Sequence, residues 1–161
     1  MQFPRLLVVR QKFPDRKIVD VAATVRAQLG ASGFAARLKP GARVAIGVGS
    51  RGINNIANIV YHVVQYWKEQ GMEPLIFPAM GSHGAANAAG QAEVLASYGI
   101  TEATMGCPLI SQLEVVSLGK TSDGIEAFMD KVAYGSDGVM LVGRVKWHTD
   151  FAGKIDRKSV V

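Results

Sequence analysis

Three short segments of this 161-residue chain combine glycine with side chains that bind anions or transfer protons. The first, residues 47–55, reads GVGSRGINN and contains Ser50 and Arg51. A guanidinium group binds a carboxylate or a phosphate through two parallel hydrogen bonds. The helix predicted after this segment adds free N–H groups and a dipole that favour an anion. The segment therefore predicts an anion-binding loop; the alternative is a tight turn in which the glycines serve only the backbone.

The second and third segments each supply one histidine. Residues 79–84 read AMGSHG, which places His83 between two glycines, and residues 143–151 read GRVKWHTDF, which contains His148 and Asp150. Histidine titrates near neutral pH and can accept or donate a proton there. A carboxylate such as Asp150 can orient an imidazole for this purpose. The pattern predicts two acid–base histidines; the alternative is a pair of polar surface loops.

The sequence contains no pattern of metal ligands. It has no His-x-x-x-His motif and only one cysteine, Cys107, so neither a metal site nor an internal disulfide is predicted. A lone thiol usually packs as a small apolar residue, and we expect Cys107 to be buried. The single cysteine agrees with a reducing compartment.

Three stretches with apolar side chains at helical spacing predict helices at residues 18–29, 56–69 and 88–98. Gly30, Gly71 and Gly99 follow these stretches and predict where the helices end. Asparagines before the second and third helices predict their N-caps. His62 falls on the polar face of the second helix, so we expect it to be solvated and uninvolved.

Short apolar runs predict strands at residues 43–48, 74–78 and 138–142, and a hairpin at residues 113–118 and 125–129. Alternating strands and helices predict an α/β fold, here a Rossmann-like three-layer sandwich. Its mostly parallel sheet should have at least four strands, with the hairpin as an antiparallel addition. Ligands bind at the carboxyl ends of such strands, so Arg51, His83 and His148 should share one site.

Composition narrows the partners and the location. The net charge is +5, but the basic residues are scattered and aromatic residues make up 7% of the chain, so nucleic acid is not expected as a partner. Scattered positive charge suits a small anion better. The longest apolar stretches fall short of the ~20 residues of a membrane span, and the first residues lack a signal pattern. We therefore expect a cytoplasmic protein without a membrane partner.

At its three segments the chain resembles the N-terminal domain of the lactate racemase family. It is most similar to an uncharacterised branch in which GSRGI, PAMGSHG and VK-x-HTDF occur in this order. Other stretches that carry the resemblance are VRAQL, KPGARVAI and GQAEVLASYGITEATMGCP. The similarity covers almost the whole chain, which identifies residues 1–161 as one such domain.

The resemblance implies a racemase or epimerase, an isomerase that acts on a small anionic 2-hydroxy acid. It implies that His83 and His148 are the acid and the base on opposite faces of the substrate. Arg51 would hold the substrate carboxylate, with Ser50 beside it. The chain departs from the characterised racemases at Val48 and the residue after it, because those enzymes have an acidic residue shortly before the arginine.

The resemblance also implies a nickel-pincer nucleotide whose pyridinium carbon accepts the substrate hydride. Gly81 and Ser82 would contact this cofactor, and Lys154 and Lys158 lie near the position of the lysine to which it is attached. A C-terminal domain would supply nickel ligation and close the cleft. We therefore expect the 161 residues alone to fold without carrying the cofactor or turning over, and to expose an apolar face or bury it in a homodimer.

Two other functions fit the same residues. One is a non-catalytic Rossmann-like domain whose glycine-rich loops bind a nucleotide or a carboxylate. The other is an interaction domain in which the loops are incidental.

Overall fold

The structure is a computed structural model that describes residues 8–15, 17–50 and 52–144. These residues form a mixed α/β fold with a three-stranded parallel sheet and a two-stranded antiparallel sheet. The elements in chain order are α1 (Val21–Ser32), β1 (Arg43–Val48), α2 (Ile56–Glu69), β2 (Glu73–Pro78), α3 (Ala88–Ser97), α4 (Glu102–Met105), β3 (Val115–Lys120), β4 (Glu126–Asp130), α5 (Lys131–Tyr134) and β5 (Gly138–Val142).

The parallel sheet has the order β2–β1–β5, so β1 is its central strand. Residues 44–48 of β1 are all buried, as expected for a parallel strand that is covered on both faces. The edge strand β2 contains two prolines. The amide of Glu73 donates to Ala42 and that of Ala79 to Val48, both at 2.9 Å. Backbone nitrogens alternate in direction along a strand, so those of Pro74 and Pro78 face away from β1. Their missing N–H groups therefore break no hydrogen bond to that strand.

The three longer helices pack on one face of this sheet. Val44, Ile46 and Val48 of β1 belong to one apolar cluster with side chains of α2 and α3, and α1 packs against the same cluster. Trp67 of α2 is its largest fully buried residue. The amphipathic pattern of α2 in the sequence thus correctly predicts its buried face.

The other face of the sheet has a thinner cover. Ala45, Leu75 and Phe77 pack there against α5, a single turn of helix that follows the hairpin. Gly47 belongs to this face, and a Cβ on it would lie 2.7 Å from Leu141 Cδ2 and 2.8 Å from Phe77 Cζ. Neighbouring side chains therefore lie so close to Gly47 that a larger residue there would have to displace them.

Both predicted ends of the first helix are wrong, and the hairpin strands lie one or two residues later than predicted. Helix α1 begins at Val21, because the Asp20 side chain accepts a hydrogen bond from the Ala23 amide and caps it. It ends at Ser32, where Gly33 takes the left-handed conformation at φ 64°. Gly30 lies inside the helix. Several small residues surround Gly30, so the apolar period alone could not distinguish the two glycines.

The hairpin was predicted as part of the main sheet, and it is separate. Among the described residues, strands β3 and β4 pair only with each other, with an irregularity between Ser117 and Gly119. Within residues 8–15, 17–50 and 52–144 the parallel sheet has three strands and not the expected four or more. The single-turn helices α4 and α5 were also not predicted, because four residues are too few to show a period.

Cys107 is buried, as expected. Burial raises the pKa of its thiol to about 11, since an apolar environment disfavours the thiolate. No helix in the described part of the chain has the length and apolar character needed to cross a membrane.

Candidate functional site

The three parallel strands end at the same level, and the three predicted segments begin there. Val48 is paired with both Pro78 and Val142, and the Gly49 amide donates to the Val142 carbonyl at 2.9 Å. The chain then leaves the sheet on all three strands at one edge. The parts of the three segments that the structure describes therefore lie together, as the strand order in the sequence predicts.

These loops border a cleft of about 510 Å³. Its polar end contains Ser50, His83 and Arg144, which follow the ends of β1, β2 and β5. The cleft extends from this edge across the second face of the sheet to the hairpin. A concave site of this volume, mainly apolar with a few polar groups at one end, is typical of small-molecule binding.

Ser50 and His83 form a hydrogen-bonded pair at the polar end. The Ser50 hydroxyl is bonded to Nδ1 of His83, with the donor set by the imidazole tautomer. Ser50 is buried, and its carbonyl accepts a hydrogen bond from the hydroxyl of Tyr98. The serine is thus held through both its side chain and its backbone, and it fixes the position of the imidazole.

A second contact holds the loop that carries His83. The buried side chain of Gln91, on α3, donates from Nε2 to the Gly81 carbonyl at 2.8 Å. Three residues later, Gly84 adopts φ 64° and packs closely on α3. A Cβ added to Gly84 would lie 2.5 Å from the backbone nitrogen of Gln91. The loop is therefore anchored to α3 on both sides of His83.

The backbone after His83 is strained. Ala85 and Ala86 both adopt the left-handed conformation, at φ 55° and 53°. This conformation costs an L-residue roughly 1–2 kcal/mol, and such strain persists where the surrounding structure enforces it, often at functional sites. The two strained residues directly follow Gly84, which packs closely on α3.

The predicted site residues divide into three groups. Ser50, Gly81 and His83 line the cleft. Ser82 is exposed and does not line it. The remaining predicted residues lie outside the described residues, so their place in a shared site stays a prediction: Arg51, His148, Asp150, Lys154 and Lys158.

Sequence reasoning missed two residues at the polar end. Gln91 lies on the inward face of α3, where an apolar residue is expected. A polar residue at such a position indicates a buried hydrogen bond, and this is the signal that could have identified it. Arg144 belongs to the third segment but was not singled out. Its guanidinium lies over the backbone of Gly52, since a Cβ on that glycine would be 2.7 Å from Arg144 Nη1. Arg144 therefore brings a positive charge to the mouth of the cleft.

The far wall contains one carboxylate, on Asp130, with a structural role. Its Oδ1 accepts from the amides of Val132 and Ala133 at 2.8 and 3.1 Å and caps α5. Its Oδ2 accepts from Gln112 Nε2 at 3.0 Å. Both oxygens are therefore engaged in fixing the hairpin to α5.

The described residues do not form a nickel site. In residues 8–15, 17–50 and 52–144, no three His, Cys, Asp or Glu side chains come together as a metal-binding group. The resemblance assigns the attachment lysine and the nickel ligands to later positions, and Lys154 and Lys158 are outside the described ranges.

His62 differs from its prediction. It is half-buried and not fully solvated, and its Nδ1 is buried without a hydrogen-bond partner among the described residues. Its ring lies edge-on to Tyr61, with centroids 5.3 Å apart. His62 does not line the cleft, and its role in the site stays a prediction.

Comparisons with protein-family models, with curated proteins and with solved structures found no match to this chain. The resemblance to lactate racemases therefore rests on the sequence motifs, and the cleft provides an independent basis for a functional argument.

Proposed function

We propose that the protein is a racemase or epimerase of 2-hydroxy acids and that this chain is its N-terminal, Rossmann-like three-layer domain. The observation that carries the proposal is the Ser50–His83 pair at the polar end of the cleft. Parallel strands that end beside a ligand-sized cleft support the fold assignment. A histidine held there by a buried hydroxyl supports proton transfer.

In this proposal His83 takes the proton of the substrate hydroxyl group and returns it after the configuration at C2 has inverted. The product is the opposite configuration at C2, so the net composition of the substrate is unchanged. The nickel-pincer nucleotide that the resemblance implies would supply, when bound, an acceptor for the hydride on C2. Its attachment and nickel ligation fall to residues outside the described ones.

His83 suits this role because its position is fixed before a substrate binds. Ser50 holds the ring, and Gln91 holds the loop through Gly81. Acid–base catalysis requires the imidazole within hydrogen-bonding distance of the substrate proton, and a fixed ring reduces the entropy lost in reaching that geometry. His148 would act from the other face.

The substrate carboxylate needs a positive partner at the same end of the cleft. The resemblance gives this role to Arg51, and Arg144 lines the cleft beside Gly52. A guanidinium pairs with a carboxylate through two hydrogen bonds. The proposal therefore places the anionic end of the substrate at the strand ends.

The activity test uses the protein as its own cells produce it. Each enantiomer of a set of 2-hydroxy acids is incubated with it, and chiral chromatography measures the appearance of the other enantiomer. His83→Gln should lower the rate by at least about a hundredfold, the smaller end of the range for acid–base catalysis. His62→Gln is the matched control and should retain the rate, because His62 does not line the cleft.

Unchanged racemisation in His83→Gln would contradict the proposal. Retained binding of a hydroxy acid without racemisation in the unsubstituted protein would favour the non-catalytic carboxylate-binding domain instead. Mass spectrometry of the same preparation tests the cofactor, since the proposal expects a nickel-containing nucleotide attached to a lysine.

A further inference from the structure

The cleft has two chemically different ends. Hydrogen-bonding groups lie at the strand ends, whereas the wall toward the hairpin is mostly apolar and its two polar lining residues, Gln112 and Asp130, are hydrogen-bonded to each other. Four large apolar residues of this wall are half-exposed: Leu113 (55%), Val115 (57%), Phe128 (51%) and Leu141 (51%). The wall is therefore an apolar surface with room beside it, continuous with the Ser50–His83 pair.

The cleft is much larger than a small hydroxy acid. A three-carbon hydroxy acid has about six non-hydrogen atoms and occupies at most about 180 Å³, at the roughly 30 Å³ that a water molecule takes up in the liquid. The cleft measures about 510 Å³. A three-carbon acid at the polar end would therefore leave the apolar wall in contact with water, which is unfavourable for the wall.

We infer that the cleft binds 2-hydroxy acids that carry a large apolar group, aromatic or branched, on the carbon next to C2. The hydroxyl group lies at His83, the carboxylate near Arg144, and the apolar group against Leu113 and Phe128. This inference rests on the proposed function for the hydroxyl group. The size of the apolar group follows separately, from the volume and lining of the cleft.

The charge distribution supports this orientation. Arg144 at the strand ends offers a cation for the carboxylate. On the opposite wall, Asp130 is a carboxylate whose oxygens already accept from α5 and Gln112. A ligand carboxylate placed there would meet a like charge, which is unfavourable.

The test compares the binding of three probes to the full chain by titration calorimetry. They are 2-hydroxy-3-phenylpropanoate, 2-hydroxypropanoate, which lacks the ring, and 3-phenylpropanoate, which lacks the hydroxyl group. The first should bind at least about tenfold more tightly than the second, because burying even half of an aromatic ring is worth about that factor. It should also bind more tightly than the third.

Two leucines on the same part of the chain provide a matched pair of variants. Leu113 lines the cleft, whereas Leu118 is equally exposed, at 53%, and lies outside it. Leu113→Ala should weaken binding of the phenyl hydroxy acid about threefold to tenfold, in line with the loss of part of an apolar contact, and should leave binding of 2-hydroxypropanoate unchanged. Leu118→Ala should change neither. Circular dichroism confirms that both variants fold.

The outcomes separate this inference from the proposed function. Equal affinity for the two hydroxy acids, or equal effects of Leu113→Ala and Leu118→Ala, would overturn the inference and leave the proposed function standing. Equal affinity for the two phenyl acids would overturn the proposed function, because the hydroxyl group would then contribute nothing. Absence of binding by all three probes would overturn the inference, since the wall would then be covered by another segment or another copy of the chain.

Discussion

The parallel sheet and the β3–β4 hairpin are both rich in apolar residues, but they bury them to different extents. Val44, Ile46 and Val48 of β1 are fully buried. In β3 every residue but one is exposed, and in β4 Phe128 is half-exposed. The sheet has helices on one face and α5 on the other, whereas the hairpin pairs only with itself.

The difference shows how the cleft is constructed. The groups that would act on a substrate follow the ends of buried strands, where packing fixes the backbone to which they are attached. Most of the apolar wall belongs to the exposed hairpin and the residues just before it, which are less buried than the sheet. A firmly packed polar end therefore faces a more exposed apolar wall.

Truncating one buried and one exposed side chain tests this comparison most strongly. Ile46→Ala should lower the free energy of unfolding by about 2–5 kcal/mol, because it removes a fully buried side chain and leaves a cavity. Leu118→Ala should change it by no more than about 0.5 kcal/mol, since the residue is 53% exposed. Urea denaturation followed by circular dichroism measures both values. Similar losses would mean that the hairpin packs as firmly as the sheet.

Two glycines with positive φ provide a second comparison. Gly84→Ala should destabilise the chain by about 2–4 kcal/mol, because the left-handed conformation and a Cβ 2.5 Å from the Gln91 nitrogen are both unfavourable. Gly124→Ala, in the hairpin turn, should cost only about 1–2 kcal/mol, since nothing lies within 4 Å of its Cβ position. Thermal unfolding measures the loss of stability in both variants. Equal losses would show that the loop before α3 can rearrange at little energetic cost.

Substitutions at two glutamines test whether the polar end of the cleft and its apolar wall are held in place by separate hydrogen bonds. Gln91→Leu removes the donor to the Gly81 carbonyl and should cost about 1–2 kcal/mol. It should also shift the imidazole resonances of His83. Gln112→Leu removes the donor to Asp130 and should leave the His83 resonances unchanged, while it perturbs the hairpin. Nuclear magnetic resonance of the imidazole protons tests this, and a shift of His83 in both variants would contradict separate anchoring.

The smallest expected effect concerns two exposed ion pairs, one between α1 and α2 and one between α5 and the residue before β3. The hydrogen bond from Arg26 lowers the pKa of Glu69, and that from Lys131 lowers the pKa of Glu114. A carboxyl group whose pKa is lower in the folded than in the unfolded chain stabilises the folded chain at pH values above the unfolded pKa. This stabilisation is lost as the pH falls through the folded pKa. Both contributions should be small and should weaken with salt, because the pairs are solvated.

Titration of the two carboxyl carbons by nuclear magnetic resonance checks this prediction. Arg26→Gln should raise the pKa of Glu69 toward its ordinary value, and Lys131→Gln should do the same for Glu114. The Arg26 effect should be the larger one, because this guanidinium makes two hydrogen bonds to Glu69, at 2.6 and 3.1 Å, between α1 and α2. No change in either carboxyl would refute the pairing.

Local patterns in the sequence correctly predict much of the parallel sheet and its helices. The apolar stripe of α2, the exact span of β1 and the Asn87 cap of α3 follow from residue type and spacing, because each depends on neighbours along the chain. The same reasoning correctly brings the described parts of the segments after β1, β2 and β5 to one edge. Parallel strands leave no other arrangement for their carboxyl ends.

Only the tertiary structure decided where the hairpin goes and which residues hold His83. The alternation in β3 and β4 predicts a pair of strands but not their partner, since any open sheet edge offers the same hydrogen bonds. The contacts of Ser50 with His83, of Gln91 with Gly81 and of Arg144 with the Gly52 backbone join residues of different elements or loops. Such contacts depend on how the loops pack after the sheet has formed, and spacing along the sequence carries no information about that packing.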